Sequence, residues 1–364
     1  MINMNKLFAQ NLSEKDVASL VEKVRDNHNI PAMVVVIMNS ENLLLTEIQG
    51  ERISDSNNIA TINDYFHLGS CSKSILTFMA GKLVEQGKIS WDTKFLDLFP
   101  EFKNIAKSDY YNITLEDLFL CEAGIQPFTS GEEKFPQIDS SISNKRLEFV
   151  KYLIQQEPAS KRTDKGFQYL YSNASYTMAS AMLERASGQT WEELIKMTLT
   201  DELGLSFFLG WPNNYNSNQP WGHREFKGKL KSFPPNHEYR LPDLIAPAGD
   251  LSMKPLDYAK YVQLHLKGLT GVDKYLSSSS YKYIHFGHKG FSLGVANDKL
   301  GGKRFSNFDG SAGTFYCHTI IVPESDLAYV IMANSGAQKA AKGILWLSKK
   351  IPKKHYNWWW KFWM

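Results

Sequence analysis

The sequence predicts an α/β (α+β) protein, in which an antiparallel sheet is flanked by terminal helices and a mostly helical domain is inserted. Strand-like runs occur near both ends, whereas residues 67 to about 244 are mainly helical or loop-like, without clear strand alternation. Helix patterns bracket the strand runs. These observations predict a discontinuous sheet domain (1–66 and 245–350), a helical domain (67–244) and a C-terminal tail (351–364), with the active site in the cleft between the domains.

The N-terminal part begins with a predicted helix, followed by two strands. Ser13 and Asp16 are suited to cap the helix, whose apolar positions are Val17, Leu20, Val21 and Val24. The two strands cover 32–38 and 43–49, and the polar turn 39–42 joins them. This arrangement is typical of a helix that packs against a hairpin.

The pair Ser70 and Lys73 has the spacing of a nucleophile and its base. Residues three apart share one helix face, and the following run is an amphipathic helix pattern that ends at Gly87. Its apolar stripe is Leu76, Met79, Ala80, Leu83 and Val84. A desolvated lysine near the positive end of a helix is biased toward its neutral form and can activate a serine.

A second Ser-x-x-Lys copy joins Ser279 to Lys282, within the serine run 277–280. That run is typical of a loop and no helix pattern follows it, so the second copy is interpreted as accidental. The sequence therefore favours the first copy as the reactive pair.

Tyr171 and Asn173 form a second candidate cluster just before another helix pattern, which ends at Gly188. A phenol can move a proton, and a carboxamide can position the lysine or the substrate. Tyr110 and Asn112 show the same spacing, so order and context must decide between the two copies.

The C-terminal part contains predicted strands near 291–296, 315–322 and 327–333, with a turn at 323–326 and a helix at about 337–348. The segment 308–315 precedes this hairpin. Gly310 and Gly313 are expected to let a substrate lie close to the first strand's backbone. Such an edge can offer an N–H to an oxyanion, with the N–H of Ser70 as the second donor.

Together these motifs resemble the serine β-lactamase and penicillin-binding-protein superfamily, most closely its class C β-lactamase-like branch of β-lactamases, D-alanyl-D-alanine carboxypeptidases, D-aminopeptidases and esterases. The resemblance covers nearly the whole chain and includes the segments 30–36, 91–100, 113–118 and 246–259. It implies a β-lactamase/transpeptidase-like fold. It also implies Ser70 as nucleophile, Lys73 as base, Tyr171 as proton shuttle, Asn173 as positioning group, and Ser311 as the second oxyanion donor.

One position departs from the family pattern. The third motif usually begins with Lys or His two residues before the glycine, but Phe308 stands there. A cation at that place commonly meets a substrate carboxylate and lowers the pKa of the tyrosine, and phenylalanine does neither. Lys303, Arg304 or His318 could replace the charge, although each is expected to be a solvated strand-end residue.

Composition argues against several other classes of function. The 364 residues suffice for one large or two medium domains, and a net charge of +3 without a basic, aromatic stripe gives no support for nucleic-acid binding. The three cysteines Cys71, Cys121 and Cys317 are far apart, which argues against a disulfide framework. His285 and His288 are the only close histidine pair and a weak metal site, so neither a metal nor a cofactor is predicted.

The ends of the chain bear on location and partners. No apolar stretch suited to a signal peptide or a membrane span occurs, which predicts a cytoplasmic protein or the processed form of an exported, periplasmic one. The last nine residues contain six aromatic residues after Lys353 and Lys354. This tail is expected to dock on its own domain or a partner, with a membrane interface as the alternative.

The predicted activity is that of a serine hydrolase which forms an acyl-enzyme on a small-molecule ester, amide or peptide. Two alternatives stay open. One is a non-catalytic binding protein that keeps the fold, and the other is a true β-lactamase or D-Ala-D-Ala carboxypeptidase.

Overall fold

The structure is a computed structural model that describes residues 14–164 and 166–355, of which 352–355 are described by their backbone alone. Its strands, numbered in chain order, are β1 (Ala32–Met38), β2 (Leu43–Gly50), β3 (Phe66–His67), β4 (Arg162–Thr163), β5 (Gly166–Phe167), β6 (Phe207–Leu209), β7 (Gly222–Phe226), β8 (Lys229–Phe233), β9 (Leu251–Met253), β10 (Phe291–Ser292), β11 (Val295–Leu300), β12 (Lys303–Gly310), β13 (Tyr316–Val322) and β14 (Leu327–Ala333).

The helices are numbered in the same way. They are α1 (Glu14–His28), α2 (Ser72–Glu85), α3 (Phe95–Leu98), α4 (Leu115–Leu120), α5 (Lys145–Leu153), α6 (Asn173–Ser187), α7 (Trp191–Lys196), α8 (Pro212–Tyr215), α9 (Pro255–Leu269), α10 (Ser278–Phe286) and α11 (Gln338–His355). Short 3₁₀ turns lie at Gly69–Cys71, Pro100–Phe102, Ser108–Tyr110, Asp243–Ala248 and Pro323–Ser325, and Met197–Glu202 is π-helical.

Seven strands form the main sheet in the order β10-β11-β12-β13-β14-β1-β2. Every neighbouring pair in it is antiparallel. The first and last parts of the chain meet at its centre, where Val34 of β1 lies opposite Met332 of β14. The predicted class of fold, with an antiparallel sheet built from both ends of the chain, is confirmed.

Two hydrophobic cores cover the two faces of this sheet. On one face, Val17 and Val21 of α1 and Ile344 of α11 pack against alternate residues of β1 and β14, such as Val35 and Ile331. The opposite face is covered by the helices of the middle of the chain. Burial on both faces explains why β1 and β14 are unbroken apolar runs instead of alternating ones.

Several predicted boundaries need correction. The predicted strand at 291–296 is two strands, β10 and β11, because Gly294 takes a positive φ of +82° and turns the chain. The predicted loop at 277–280 is the start of helix α10, which Ser277 caps by accepting a hydrogen bond from the Ser280 N–H. The serine run is thus a helix start and not a loop.

The middle of the chain also contains strands that its sequence pattern did not predict. The hairpin β7–β8 lies within 222–233, and the short strands β3, β9 and β6 form a separate three-stranded sheet. The β7–β8 strands are polar and partly exposed, so they lack the apolar alternation that marks a strand in a sequence.

Helices α2 and α6 are not amphipathic, contrary to the prediction. Residues 72–81 of α2 and 174–183 of α6 are all buried, because each helix lies inside the core instead of at its surface. Gly188 ends α6 in the left-handed conformation with a φ of +74°, and Gly87 follows α2 with a φ of +69°.

At the C-terminus, helix α11 extends to His355, beyond the predicted end at about 348 and into the predicted tail. The rest of that tail, 356–364, lies outside the described residues, as does Ser13, the predicted helix cap. Within the described part of the chain, no helix is both long and apolar enough to cross a membrane.

Candidate active site

Ser70 sits on the 3₁₀ turn Gly69–Cys71, directly before helix α2. Two glycines let this turn touch strand β12. Gly69 has a φ of +53°, and a Cβ there would lie 2.4 Å from the Ser311 nitrogen. A Cβ on Gly310 would lie 1.9 Å from the Leu68 carbonyl oxygen. Gly310 was predicted to make room for a substrate. In the structure, the absence of its side chain makes room for the serine turn.

A buried histidine holds the start of the serine turn. The Gly69 N–H donates to Nδ1 of His67 at 3.1 Å, and Nε2 of His67 lies 3.0 Å from Oδ1 of Asp250. Because Nδ1 accepts, the ring proton is on Nε2 and points at the carboxylate. This chain of contacts orients the turn that carries Ser70.

Lys73 is buried, with 1% of its surface exposed, and its Nζ has three oxygen neighbours. It lies 3.2 Å from Ser70 Oγ, 2.7 Å from Asn173 Oδ1 and 2.8 Å from the Ala248 carbonyl oxygen. A neutral amine can donate its two protons to Asn173 and Ala248, which directs its lone pair at the Ser70 hydroxyl. The arrangement suits removal of the serine proton.

Burial also changes the proton affinity of this amine. Desolvation lowers the pKa of Lys73 to about 7, against the smaller opposing effect of Cys121 and Cys71. A substantial fraction of Lys73 is therefore neutral at neutral pH, where an amine can act as a base.

Tyr171 lies beside the same amine. Lys73 Nζ is 4.8 Å from the centre of the Tyr171 ring. Burial raises the pKa of Tyr171 well above the usual tyrosine value, although a hydrogen bond with Ser70 opposes the shift. The phenol therefore stays protonated at neutral pH, so it is suited to donate a proton rather than to remove one.

Asn173 is the first residue of helix α6, which Ser172 caps by accepting a hydrogen bond from the Ser175 N–H at 2.9 Å. The carboxamide of Asn173 accepts from Lys73 and donates to the Phe128 carbonyl oxygen at 2.8 Å. Of the two predicted partners, the lysine or the substrate, the structure places Asn173 on the lysine.

An open cleft of about 440 Å³ leads to these groups. Strand β11 pairs with β12 only from Lys303 to Asn307, so the edge of β12 beyond Asn307 is open on that side. Gly310 and Ser311 line the cleft at this edge, together with Ser70, Lys73 and Tyr171, while Asn173 lines a small adjoining pocket with Ser70 and Ser311. All six predicted site residues therefore come together around one opening.

The sequence matches a known family over nearly its whole length. The model of the beta-lactamase family covers residues 17–347. The chain belongs to the beta-lactamase family. A beta-lactamase from Pseudomonas fluorescens is 28% identical over 191 residues, which are 52% of this chain and 48% of that protein. The chain thus spans about half the length of this relative.

Several solved structures share the fold. The octameric penicillin-binding protein homologue from Pyrococcus abyssi superimposes with a TM-score of 0.73 at 19% identity, covering 94% of this chain and 78% of that one. A class C beta-lactamase from Rhodobacter sphaeroides gives a TM-score of 0.70 at 18% identity, covering 92% and 99%. The predicted family resemblance is confirmed, and at these identities the structural likeness concerns the fold.

Phe308, the residue that departs from the family motif, is buried in the core. Phe308 is 2% exposed, and its ring centre lies 5.7 Å from that of the buried His285. Lys303 and Arg304 lie at the other end of β12, where they contact Ser325 and Glu324. Neither can replace a cation at position 308.

The expectation for His318 was wrong. It is buried at 3% side-chain exposure instead of solvated, and its Nδ1 lies 2.7 Å from Asp309 Oδ1. His318 lies on β13, which is an inner strand of the sheet between β12 and β14, so its side chain is enclosed although it is polar.

The predicted weak pair His285 and His288 is not assembled. His285 Nε2 lies 2.8 Å from His265 Nδ1, whereas His288 contacts Glu116. Within the described ranges, no group of three or more histidine, cysteine or acidic side chains is placed to hold a metal ion. All three cysteines are free and buried, and Cys71 is a small buried residue beside the serine.

Sequence reasoning did not identify four residues of the site: Ala248, His67, Asp250 and Asp309. Ala248 acts through its backbone carbonyl, which no side-chain pattern reveals. His67 lies two residues before the serine turn, and Asp250 lies in the family-like segment 246–259. Their pairing across 183 positions is visible only in the folded chain.

Proposed function

We propose that this member of the beta-lactamase family hydrolyses neutral esters or amides through an acyl-enzyme on Ser70. The observation that carries the proposal is the contact between Lys73 Nζ and Ser70 Oγ at 3.2 Å, made by a buried amine with a pKa lowered to about 7. A base at hydrogen-bond distance from a hydroxyl and with a pKa near neutrality is what serine activation requires.

In the first half of the reaction, neutral Lys73 accepts the Ser70 proton while Ser70 Oγ bonds to the carbonyl carbon. The backbone N–H groups of Ser70 and Ser311 stabilise the negative charge on the carbonyl oxygen. The proton on Lys73 then passes through the Tyr171 hydroxyl to the leaving alcohol or amine as its bond to carbon breaks. The products of this half are the free leaving group and an acyl-Ser70 ester.

In the second half, water replaces the leaving group. Lys73, neutral again, removes a proton from water as the water oxygen bonds to the acyl carbon, and the proton returns to Ser70 Oγ as the ester bond breaks. The acid product leaves and the starting state of Ser70 and Lys73 is restored.

The preference for neutral substrates rests on Phe308. Its side chain is apolar and buried, so it gives a substrate carboxylate no ionic partner. A carboxylate that loses its water without gaining a partner is destabilised. We therefore expect poor activity on penicillins and on peptides that end in a free D-alanine.

The acyl-enzyme is tested by covalent labelling with a fluorophosphonate probe, followed by mass spectrometry of the modified peptide. We expect an adduct on Ser70 that disappears in Ser70→Ala. The matched control is Ser279→Ala, the serine of the second Ser-x-x-Lys copy, which should label like the wild type. No adduct on Ser70 with several different acyl donors would contradict the proposal and favour a non-catalytic binding protein.

The substrate preference is tested by comparing kcat/KM for 4-nitrophenyl acetate and butyrate with that for nitrocefin and a D-Ala-D-Ala peptide. We expect the neutral esters to be preferred, and Phe308→Lys or Phe308→His to shift the preference toward the carboxylates. Phe308→Leu, which keeps an apolar residue, is the control and should leave the preference in place. Efficient nitrocefin turnover by the wild type would contradict the preference while leaving the acyl-enzyme intact.

A further inference from the structure

A carboxylate lies in the cleft where a substrate would sit. Asp309 follows Phe308 on strand β12 and lines the cleft together with Ser70 and Ser311. Its side chain is 40% exposed. Among the described residues that line this cleft, the lysine and carboxylate side chains are those of Lys73 and Asp309, and Lys73 is occupied by Ser70, Asn173 and Ala248.

Three neighbouring side chains hold this carboxylate in its ionised form. Oδ1 accepts from the Tyr316 hydroxyl at 2.9 Å and lies 2.7 Å from His318 Nδ1. Oδ2 accepts from Asn307 Nδ2 at 3.0 Å. Burial alone would raise the pKa of Asp309, but the hydrogen bond and the electrostatic attraction of His318, with the hydrogen bonds of Tyr316 and Asn307, outweigh it and the pKa is lowered.

The neighbours fix the orientation of the carboxylate. Tyr316 and Asn307 are neutral donors. His318 Nε2 is buried and, within the described part of the chain, has no hydrogen-bond partner. Nδ1 is therefore the ring nitrogen through which His318 makes its hydrogen bond, and it faces Asp309. The side chain of Asp309, which is 40% exposed, therefore presents a fixed and ionised carboxylate to the cleft.

The cleft wall provides a second feature that favours positive charge. Tyr169, Tyr171, Phe291 and Tyr316 line it, and the ring centres of Tyr169 and Phe291 are 5.3 Å apart. Aromatic faces attract ammonium and quaternary ammonium groups. A fixed carboxylate beside several aromatic rings is the combination that recognises such cations, and the same carboxylate repels an anionic substrate.

We propose that Asp309 binds a cationic group of the substrate, an ammonium or quaternary ammonium, next to the carbonyl that Ser70 attacks. This inference rests on the proposed hydrolase function and specifies its substrate class. The cation lies in either the leaving group or the acyl group, and the experiment below has one arm for each.

The test compares esters of equal shape and different charge. For the leaving group, the pair is butyrylcholine and 3,3-dimethylbutyl butyrate. For the acyl group, the pair is the 4-nitrophenyl esters of 4-(trimethylammonio)butanoic and 5,5-dimethylhexanoic acid. We expect the wild type to have an about tenfold higher kcat/KM for the cationic ester in at least one pair, because one partly solvated charge contact contributes about that much. Added salt should reduce this preference because it screens the contact.

Three variants assign the effect to Asp309. Asp309→Asn, of nearly equal shape, should abolish the preference, and Asp309→Glu should retain part of it. Asp298→Asn removes the same charge from an exposed position on the neighbouring strand β11 and should keep the full preference. No preference in either wild-type pair, or a preference that survives in Asp309→Asn, would overturn the inference.

The failure of this inference can be told apart from failure of the proposed function. If the fluorophosphonate labels Ser70 but neither ester pair shows a charge preference, the cation site is wrong and the hydrolase remains. If Ser70 does not label at all, the hydrolase itself is wrong and the cation site loses its basis.

Discussion

Two pairs in this chain have the same spacing, Ser70 with Lys73 and Ser279 with Lys282, and both lie at the start of a helix. Their surroundings differ. Lys73 is 1% exposed and touches Asn173 and Ala248, whereas Ser279 and Lys282 are both exposed on α10. Spacing brings a serine and a lysine onto one helix face, but desolvation is what favours the neutral amine.

The difference teaches that a short motif predicts proximity and not reactivity. The sequence-based argument against the second copy relied on a loop, and the structure shows a helix there. The copy is still unsuited to serine activation, because water solvates an exposed ammonium and keeps it charged. Neither Ser279 nor Lys282 is among the described residues that line the cleft. The physical reason is exposure instead of the absence of a helix.

Replacing the two lysines should give the largest contrast between the copies. We expect Lys73→Met to lower the rate of Ser70 acylation by about 10⁴-fold or more, because it removes the base. The fold should persist, since loss of a buried charge offsets the hydrogen bonds lost by Asn173 and Ala248. Lys282→Met is the matched control. The measurement is the labelling rate with the fluorophosphonate, with thermal unfolding of each variant.

An acylation rate near that of the wild type in Lys73→Met, across neutral pH, would remove Lys73 as the base. Equal losses in both lysine variants would break the comparison between the two copies.

The two Tyr-x-Asn copies allow a second, smaller contrast. Tyr171→Phe removes the hydroxyl beside Ser70 and should lower turnover by about 10²–10⁴-fold if the phenol transfers a proton. Tyr110→Phe removes a buried hydroxyl that lies 3.4 Å from the Gly124 carbonyl oxygen, far from this chemistry, and should leave turnover nearly unchanged. Steady-state hydrolysis of 4-nitrophenyl butyrate measures both. Normal turnover in Tyr171→Phe would make the motif a coincidence.

The smallest predicted effect is the pH dependence of acylation. Because the pKa of Lys73 is lowered to about 7, the neutral base is scarce below that pH and predominant above it. The acylation rate should rise about tenfold per pH unit below pH 7 and level off above it. Tyr171, whose pKa is raised, should add no second change in the neutral range.

The measurement is the fluorophosphonate labelling rate from pH 5 to pH 9, with the fold checked at both ends. A rate that keeps rising toward pH 10 would mean that Lys73 retains an ordinary lysine pKa. A flat profile would mean that its proton does not limit the reaction.

Prediction from the sequence succeeded for elements whose pattern is local. Strands β1 and β14 and the turn before β14 were predicted with their observed bounds, because apolar runs and turn residues mark them. It failed where burial depends on distant segments. Helices α2 and α6 are buried all round, His318 is enclosed, and the polar hairpin β7–β8 was missed.

The sequence by itself determined the family, the antiparallel sheet built from both chain ends, and the six residues that meet at the cleft, since spacing and order along the chain carry this information. The tertiary structure decided the environment of those residues. Lys73 meets Asn173 and the Ala248 carbonyl across 100 and 175 positions, and these contacts bury and orient its amine. Proton affinity depends on the loss of water around a charge, and that loss exists only in the folded chain.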